Sequence, residues 1–190
     1  MKKALLLAAA AVVLASCGNK QYTWEDLVFD YPALYKLNVP EDKDGDPATH
    51  LFFIEDGLEN SLEFIAIDIV KEDPGSIEGA DEDILVEYLA EKAFDNIKTI
   101  ALDDEDYQLY DKTSSLEEVS VDVNPETGLL ESHAYAKGNW EGEGIFVEAY
   151  STTFDGRYTI SMVAQSQHES YLKTLIDIYR SVHVAEAKAR

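Results

Sequence analysis

The stretch IFVEAYSTTFDGRYTISMVAQ, residues 145–165, decides the fold. Two β-rich runs, Ile145–Phe154 and Arg157–Gln165, flank the pair Asp155-Gly156. That pair tolerates the left-handed backbone angles a two-residue hairpin needs. The segment Glu131–Trp140 precedes it as a third strand, and Glu141-Gly142-Glu143-Gly144 reads as the loop between. Downstream, Ser166 and Glu169 have capping-box spacing. Behind them Leu172, Leu175, Ile176, Tyr179 and Val182 recur at helical intervals. A meander closed by a helix is therefore expected.

Upstream, Asp81 to Ile97 predicts a second helix. Acidic residues fill its first turn, where the helix dipole favours them, and Leu85, Tyr88, Leu89, Ala93 and Ile97 form its stripe. Leu51–Ile54 and Leu62–Val70 read as a strand pair, with Ile65, Ile67 and Ile69 on one face at period two. Trp24–Phe29 and Ala33–Val39 read as short strands around Tyr31-Pro32. Tyr107–Tyr110 and Val119–Val123 read as further strands before turn signals at Asn124–Gly128. The expected fold class is α+β: a single domain with a mainly antiparallel sheet, one mid-chain helix and one C-terminal helix.

The start of the chain has a separate logic. Lys2 and Lys3 precede an apolar run from Ala4 to Leu14 and then Ala15-Ser16-Cys17, the layout of a secretory signal. That run rises only about 16 Å as a helix, half of a bilayer core. Leu14-Ala15-Ser16-Cys17 resembles the lipobox of bacterial lipoproteins. The resemblance implies cleavage before Cys17 and covalent lipid on it, with residues 1–16 removed as signal peptide. Cys17 is the sole cysteine, so no disulfide is available and lipidation would consume the thiol. Residues 17–21 are expected to be the lipidated N-terminus and a short tether, 22–184 the domain and 185–190 a frayed tail. By resemblance to lipoprotein sorting rules, Gly18 after the cysteine implies an outer-membrane address facing the periplasm.

Composition bounds the function. The formal net charge is −23 and becomes about −25 once the two leader lysines are lost. Such a polyanion is repelled by nucleic acid phosphates, whose recognition depends on Lys and Arg, so no nucleic acid partner is expected. With 46% hydrophobic residues the chain is too apolar for disorder.

The element order carries a further resemblance. A tyrosine-bearing strand pair is followed by a buried strand and a helix. A meander through Tyr135, Trp140, Tyr150 and Tyr158 comes next, and the closing helix ends in Tyr179-Arg180-Ser181-Val182. This order resembles the PsbP-like fold, an α/β/α sandwich, over residues 22–184. The resemblance implies a non-enzymatic binding or assembly factor and carries no site residue with it.

Candidate chemistry is sparse. Asp42, Asp44 and Asp46 alternate in a way that can curl around calcium, although Pro47 and Phe53 stand where an EF-hand needs Gly and Glu. The competing reading is a solvated turn, as it is for Asp103–Asp106. The histidines His50, His133, His168 and His183 show no i, i+4 pair, and His133 fits either face of its strand. No Gly-x-Ser-x-Gly elbow is present, and no glycosidase carboxylate pair can be picked from 38 acids. Trp24, Tyr31, Tyr35, Trp140 and Tyr150 are candidates for a binding face, with core packing as the commoner use of strand aromatics. The expectation is a membrane-anchored lipoprotein, non-enzymatic, with an envelope protein partner. The alternatives are a small-ligand or calcium-binding module centred on Asp42, Asp44 and Asp46, and a cryptic hydrolase.

Overall fold

The computed structural model describes residues 18–40, 47–57, 62–77, 79–100, 107–140 and 142–185. Cys17, the Asp42/Asp44/Asp46 group and Asp103–Asp106 lie outside the described residues. Among those described, no helix is long and apolar enough to cross a membrane.

The hairpin at 155–156 sets the centre of the sheet. Asp155 (φ 54°) and Gly156 (φ 62°) are both left-handed, and the Arg157 N–H donates to the Phe154 carbonyl at 3.2 Å. Strand pairing, however, starts with Phe154 opposite Tyr158, so Arg157 joins the turn and does not open the second strand. Its side chain is drawn to Asp155 and across to Asp26, and its carbonyl accepts the Glu72 N–H.

Strands β9 (Glu143–Phe154) and β10 (Tyr158–Ser166) belong to an eight-stranded antiparallel sheet. On the β10 side follow β5 (Phe64–Lys71), β4 (Thr49–Glu55) and β3 (Lys36–Asn38). On the β9 side follow β8 (Leu130–Trp140) and β6 (Tyr107–Lys112), with β7 (Ser120–Val123) also pairing β8. Helix α1 (Glu82–Ile100) covers one face. There Ala93 and Ile97 pack on Ile145 and Val147 and on Ala134, Ala136 and Ala149, whose small side chains let the helix approach closely. The opposite face is covered by α2 (Glu169–Arg180) and by a small sheet of β1 (Asn19–Trp24), β2 (Leu27–Pro32) and β11 (His183–Val184). Between them lies the larger core: Phe29, Phe52, Ile65, Ile67, Ile69, Ile160, Leu175 and Tyr179. The α+β class and the α/β/α layering are as expected from the sequence.

Other local readings are corrected. The first strand ends at Trp24 instead of beginning there, because Glu25 turns the chain at φ 51°. Glu25 and Asp26 are held in that turn by Lys71, Arg157 and the Tyr158 hydroxyl. Strand β1 therefore takes in Asn19 to Gln21, which the sequence suggested as tether. Lastly, the capping box does not form. His168 is the N-cap of α2, without a side-chain cap, and the Ser166 hydroxyl instead accepts the His168 N–H at 3.0 Å. At the other end Ala185 is still held, its N–H donating to the Asp26 carbonyl, and residues 186–190 are outside the described part.

Candidate functional site: an acidic cleft beside the end of α2

Helix α2 and the small sheet cover β4, β5 and β10 but leave the same face of β8 open. Alternation along β8 puts Ser132, Ala134 and Ala136 under α1 and turns Glu131, His133 and Tyr135 the other way. Register adds Ser120 beside His133 and Asp122 beside Glu131 from β7. It adds Tyr150 beside His133 from β9. The β7–β8 loop is braced by Asn124, whose Oδ1 accepts the Glu126 N–H at 2.9 Å and whose backbone pairs with Gly128 and Leu129. Gly128 supplies the left-handed residue (φ 71°) that closes the turn.

These groups converge on Arg180, the last residue of α2. Its Nη2 donates to Glu131 Oε1 at 2.6 Å, and Asn124 Nδ2 donates to the same oxygen at 3.0 Å. The guanidinium lies 5.2 Å from the centroid of Tyr150, within cation–π range. Burial opposes the charge on Arg180, but the Glu131 hydrogen bond and charge outweigh it and raise the pKa. Next to it His133 Nε2 lies 2.6 Å from Glu148 Oε2, and the Tyr150 hydroxyl donates to that oxygen at 2.9 Å. The His133 and Tyr150 rings stack at 4.6 Å. Burial pushes the Glu148 carboxyl up, yet His133 and Tyr150 together bring it below its usual value. Tyr150 is raised by burial and then by Glu148.

Two cavities meet at the Glu131–Arg180 pair. One, about 250 Å³, has a mixed polar and apolar lining and is edged by Asp122, Glu126 and His133. The other, about 280 Å³, runs under Leu129, Phe154 and Val182 and is mostly apolar. Each is just below the usual lower size of a small-molecule pocket, about 300 Å³. The Tyr179 hydroxyl is buried at the second cavity without a hydrogen-bond partner among the described residues.

The other sequence candidates are scattered. His50 stacks on Trp24 at 4.9 Å and bonds the Tyr22 hydroxyl, inside the covered half. His168 caps α2 and His183 is exposed in β11. Tyr31, Trp24 and Tyr35 pack in or against the larger core, and Trp140 against the smaller one. Of the five aromatics only Tyr150 reaches the cleft. No group of three or more potential metal ligands occurs among the described residues. The sequence reading missed Glu131, Glu148 and Arg180 as site residues. The one local signal was the polar alternation Glu131, His133, Tyr135, Lys137.

No family model matches the chain, and no curated protein matches it by sequence. Solved structures do resemble it. Cyanobacterial PsbP (CyanoP) from Synechocystis superposes with a TM-score of 0.53 at 14% identity, over 88% of this chain and 93% of that one. This likeness places the domain in the PsbP-like fold. A Bacteroides thetaiotaomicron protein gives 0.48 at 10% identity, covering 92% of this chain and 51% of that one. LpqN, involved in cell envelope biogenesis of Mycobacterium tuberculosis, gives 0.45 at 11% identity, covering 88% and 90%.

Proposed function

We propose that this chain is a lipid-anchored, non-enzymatic module of the bacterial cell envelope, attached through Cys17 to the outer membrane, that engages a partner protein through the Glu131–Arg180 cleft. The observation that carries this reading is the electrostatic closure of the cleft. Arg180 and Asn124 both donate to Glu131, and His133 is bonded to Glu148. The β7–β8 and β8–β9 ladders take up the strands around them, so the site offers a shaped surface and not a set of free reacting groups. Asp122 and Glu126 at its edge, together with the net charge of −23, favour a partner with a basic contact.

The test uses the lipidated protein in its own membranes, with a photo-crosslinking residue at Val123, 63% exposed on the cleft edge. A single crosslinked protein, lost when Arg180 is changed to Glu, supports the reading. Hydrolytic turnover by the purified domain, abolished by His133→Ala, would overturn it. A second reading, small-ligand binding, is favoured by the apolar cavity under Leu129, Phe154 and Val182. It would show as ligand-dependent thermal stabilisation. The calcium version at Asp42, Asp44 and Asp46 would show as stabilisation by millimolar calcium that is lost with Asp44→Asn.

A further inference from the structure

The structure fixes how the chain enters the domain, and this bears on how the domain stands on a membrane. The Gly18 carbonyl accepts the Ala33 N–H at 2.9 Å, and β1 begins at the next residue. In the sequence Cys17 directly precedes Gly18, and Leu34 directly follows Ala33. Leu34 is 73% exposed, the most exposed large hydrophobic side chain among the described residues.

We infer that the Pro32–Tyr35 turn, with Leu34 at its tip, is a second membrane contact, seated in the bilayer surface that holds the lipid on Cys17. This rests on the lipoprotein reading above. A lone exposed leucine is ordinary on a protein surface; this one is distinguished by its place and its rigidity. The Tyr35 N–H donates to the Pro32 carbonyl at 3.0 Å. Gly57 packs so closely beneath that an added Cβ would lie 2.8 Å from the Leu34 carbonyl oxygen. The Tyr35 ring is packed against the core. Leu34 is thus held outward, next to the point where the anchor leaves.

The contact orients more than it binds. Burying one leucine contributes less than the acyl chains, whose every methylene adds its own increment. What it adds to a flexible lipid is a second point of attachment, which sets the tilt of the domain. The strands then define what faces away. Leu34 and Gly57 lie at the end where Lys36 pairs Glu55, Glu55 pairs Phe64 and Phe146 pairs Ser166. Phe154 and Tyr158 lie at the other end, beside Trp24 and Asp26. From Phe146 to Phe154 the rise is about 26 Å. The Glu131–Arg180 cleft, bordered by Phe154 and Val182, is carried at the end remote from the bilayer and open to a partner in the aqueous space.

The full chain, expressed with its leader and purified, would be weighed by mass spectrometry for acyl groups on Cys17. It would then be placed in vesicles of phosphatidylethanolamine and phosphatidylglycerol with brominated acyl chains. Leu34→Cys and, separately, Val123→Cys would carry an environment-sensitive fluorophore. The expected result is a blue-shifted label at position 34, quenched several-fold more by the brominated lipid than the label at 123. An acylated protein whose label at 34 is as open to aqueous iodide as that at 123 overturns the membrane contact alone. A chain without acyl groups overturns both this contact and the lipoprotein reading.

Discussion

On the α2 side of the large sheet, β5 presents Ile65, Ile67 and Ile69, whereas β8, three strands away on the same face, presents Glu131, His133 and Tyr135. Both strands alternate with the same period and both put small or mixed residues toward α1. They differ in what lies over them. The small sheet and α2 close the β5 half into an apolar core, and nothing among the described residues covers the β8 half to the same extent. The open half satisfies its polar groups within itself, Arg180 pairing with Glu131 and His133 hydrogen-bonding Glu148. Face polarity in this protein reports cover, and the transition from one kind to the other runs through β9, where Tyr150 touches both.

The largest expected effect is in the covered half. Ile67 is fully buried, so Ile67→Ala removes transfer energy and leaves a cavity, lowering stability by about 3 kcal/mol in urea unfolding. Tyr135→Ala, at 39% exposure on the open half, is expected to change it by under about 1 kcal/mol. Equal losses would mean that the β8 face is covered in solution. Next comes the cleft pair. Glu131→Gln leaves Arg180 without its carboxylate; the side chains are 10% and 28% exposed. A loss of about 2 kcal/mol is expected, below the 3–5 kcal/mol of a fully buried pair because Arg180 retains contact with water. Adding Arg180→Met should recover most of it, and a double-mutant cycle reads the coupling.

The two halves should also respond to pH in different windows. Burial lowers the His50 pKa, with the Asp68 charge a smaller opposing influence. The folded imidazole holds its proton less tightly than the unfolded one, whose pKa is about 6.5. Its contribution is therefore complete above about pH 6.5 and is lost as pH falls below it. Glu148, also depressed, contributes above the ordinary carboxylate range near 4.3 and loses that contribution only as pH falls below it. Asp68 and Glu63, both raised by burial, act in the opposite direction, their contribution being complete below the ordinary carboxylate range and lost as pH rises above it. Melting temperature should drop as pH falls below about 6.5 in the parent protein and flatten in His50→Phe. An unchanged slope would show that the Trp24–His50 stack does not govern this window.

Much of this was legible because it depends on local chemistry. The Asp155-Gly156 turn, the Ile65–Ile69 face and the α2 stripe each follow from neighbours a few residues apart. Two of the errors trace to distant contacts and one to a competing local bond. Arg157 left its strand for Asp26, 131 positions away. Strand β1, reading NKQYTW, has little apolar signal and is ordered by pairing with β2. Ser166 took up the His168 amide and so gave no cap. The cleft was the least legible part, since Glu131 and Arg180 are 49 residues apart and belong to different elements. Polar alternation in β8 signalled an open face, but no spacing could say which helix end would meet it.

The smallest expected effect separates burial from bonding at the border of the two halves. Tyr179 is 1% exposed, packs in the covered core, and carries a hydroxyl with no partner among the described residues. Desolvation raises its pKa well above the ordinary value, and the Glu131 charge adds to this. An unsatisfied buried hydroxyl costs about 1–3 kcal/mol of desolvation, so deleting it should not be harmful. Tyr179→Phe is expected to leave stability unchanged or to raise it by up to about 1 kcal/mol, measured by urea unfolding at pH 7. A loss of more than about 1 kcal/mol would show that the hydroxyl is bonded in solution, with Glu131 as the nearby acceptor. The polar network of the open half would then extend into the covered core, and the border would lie one residue deeper than Tyr150.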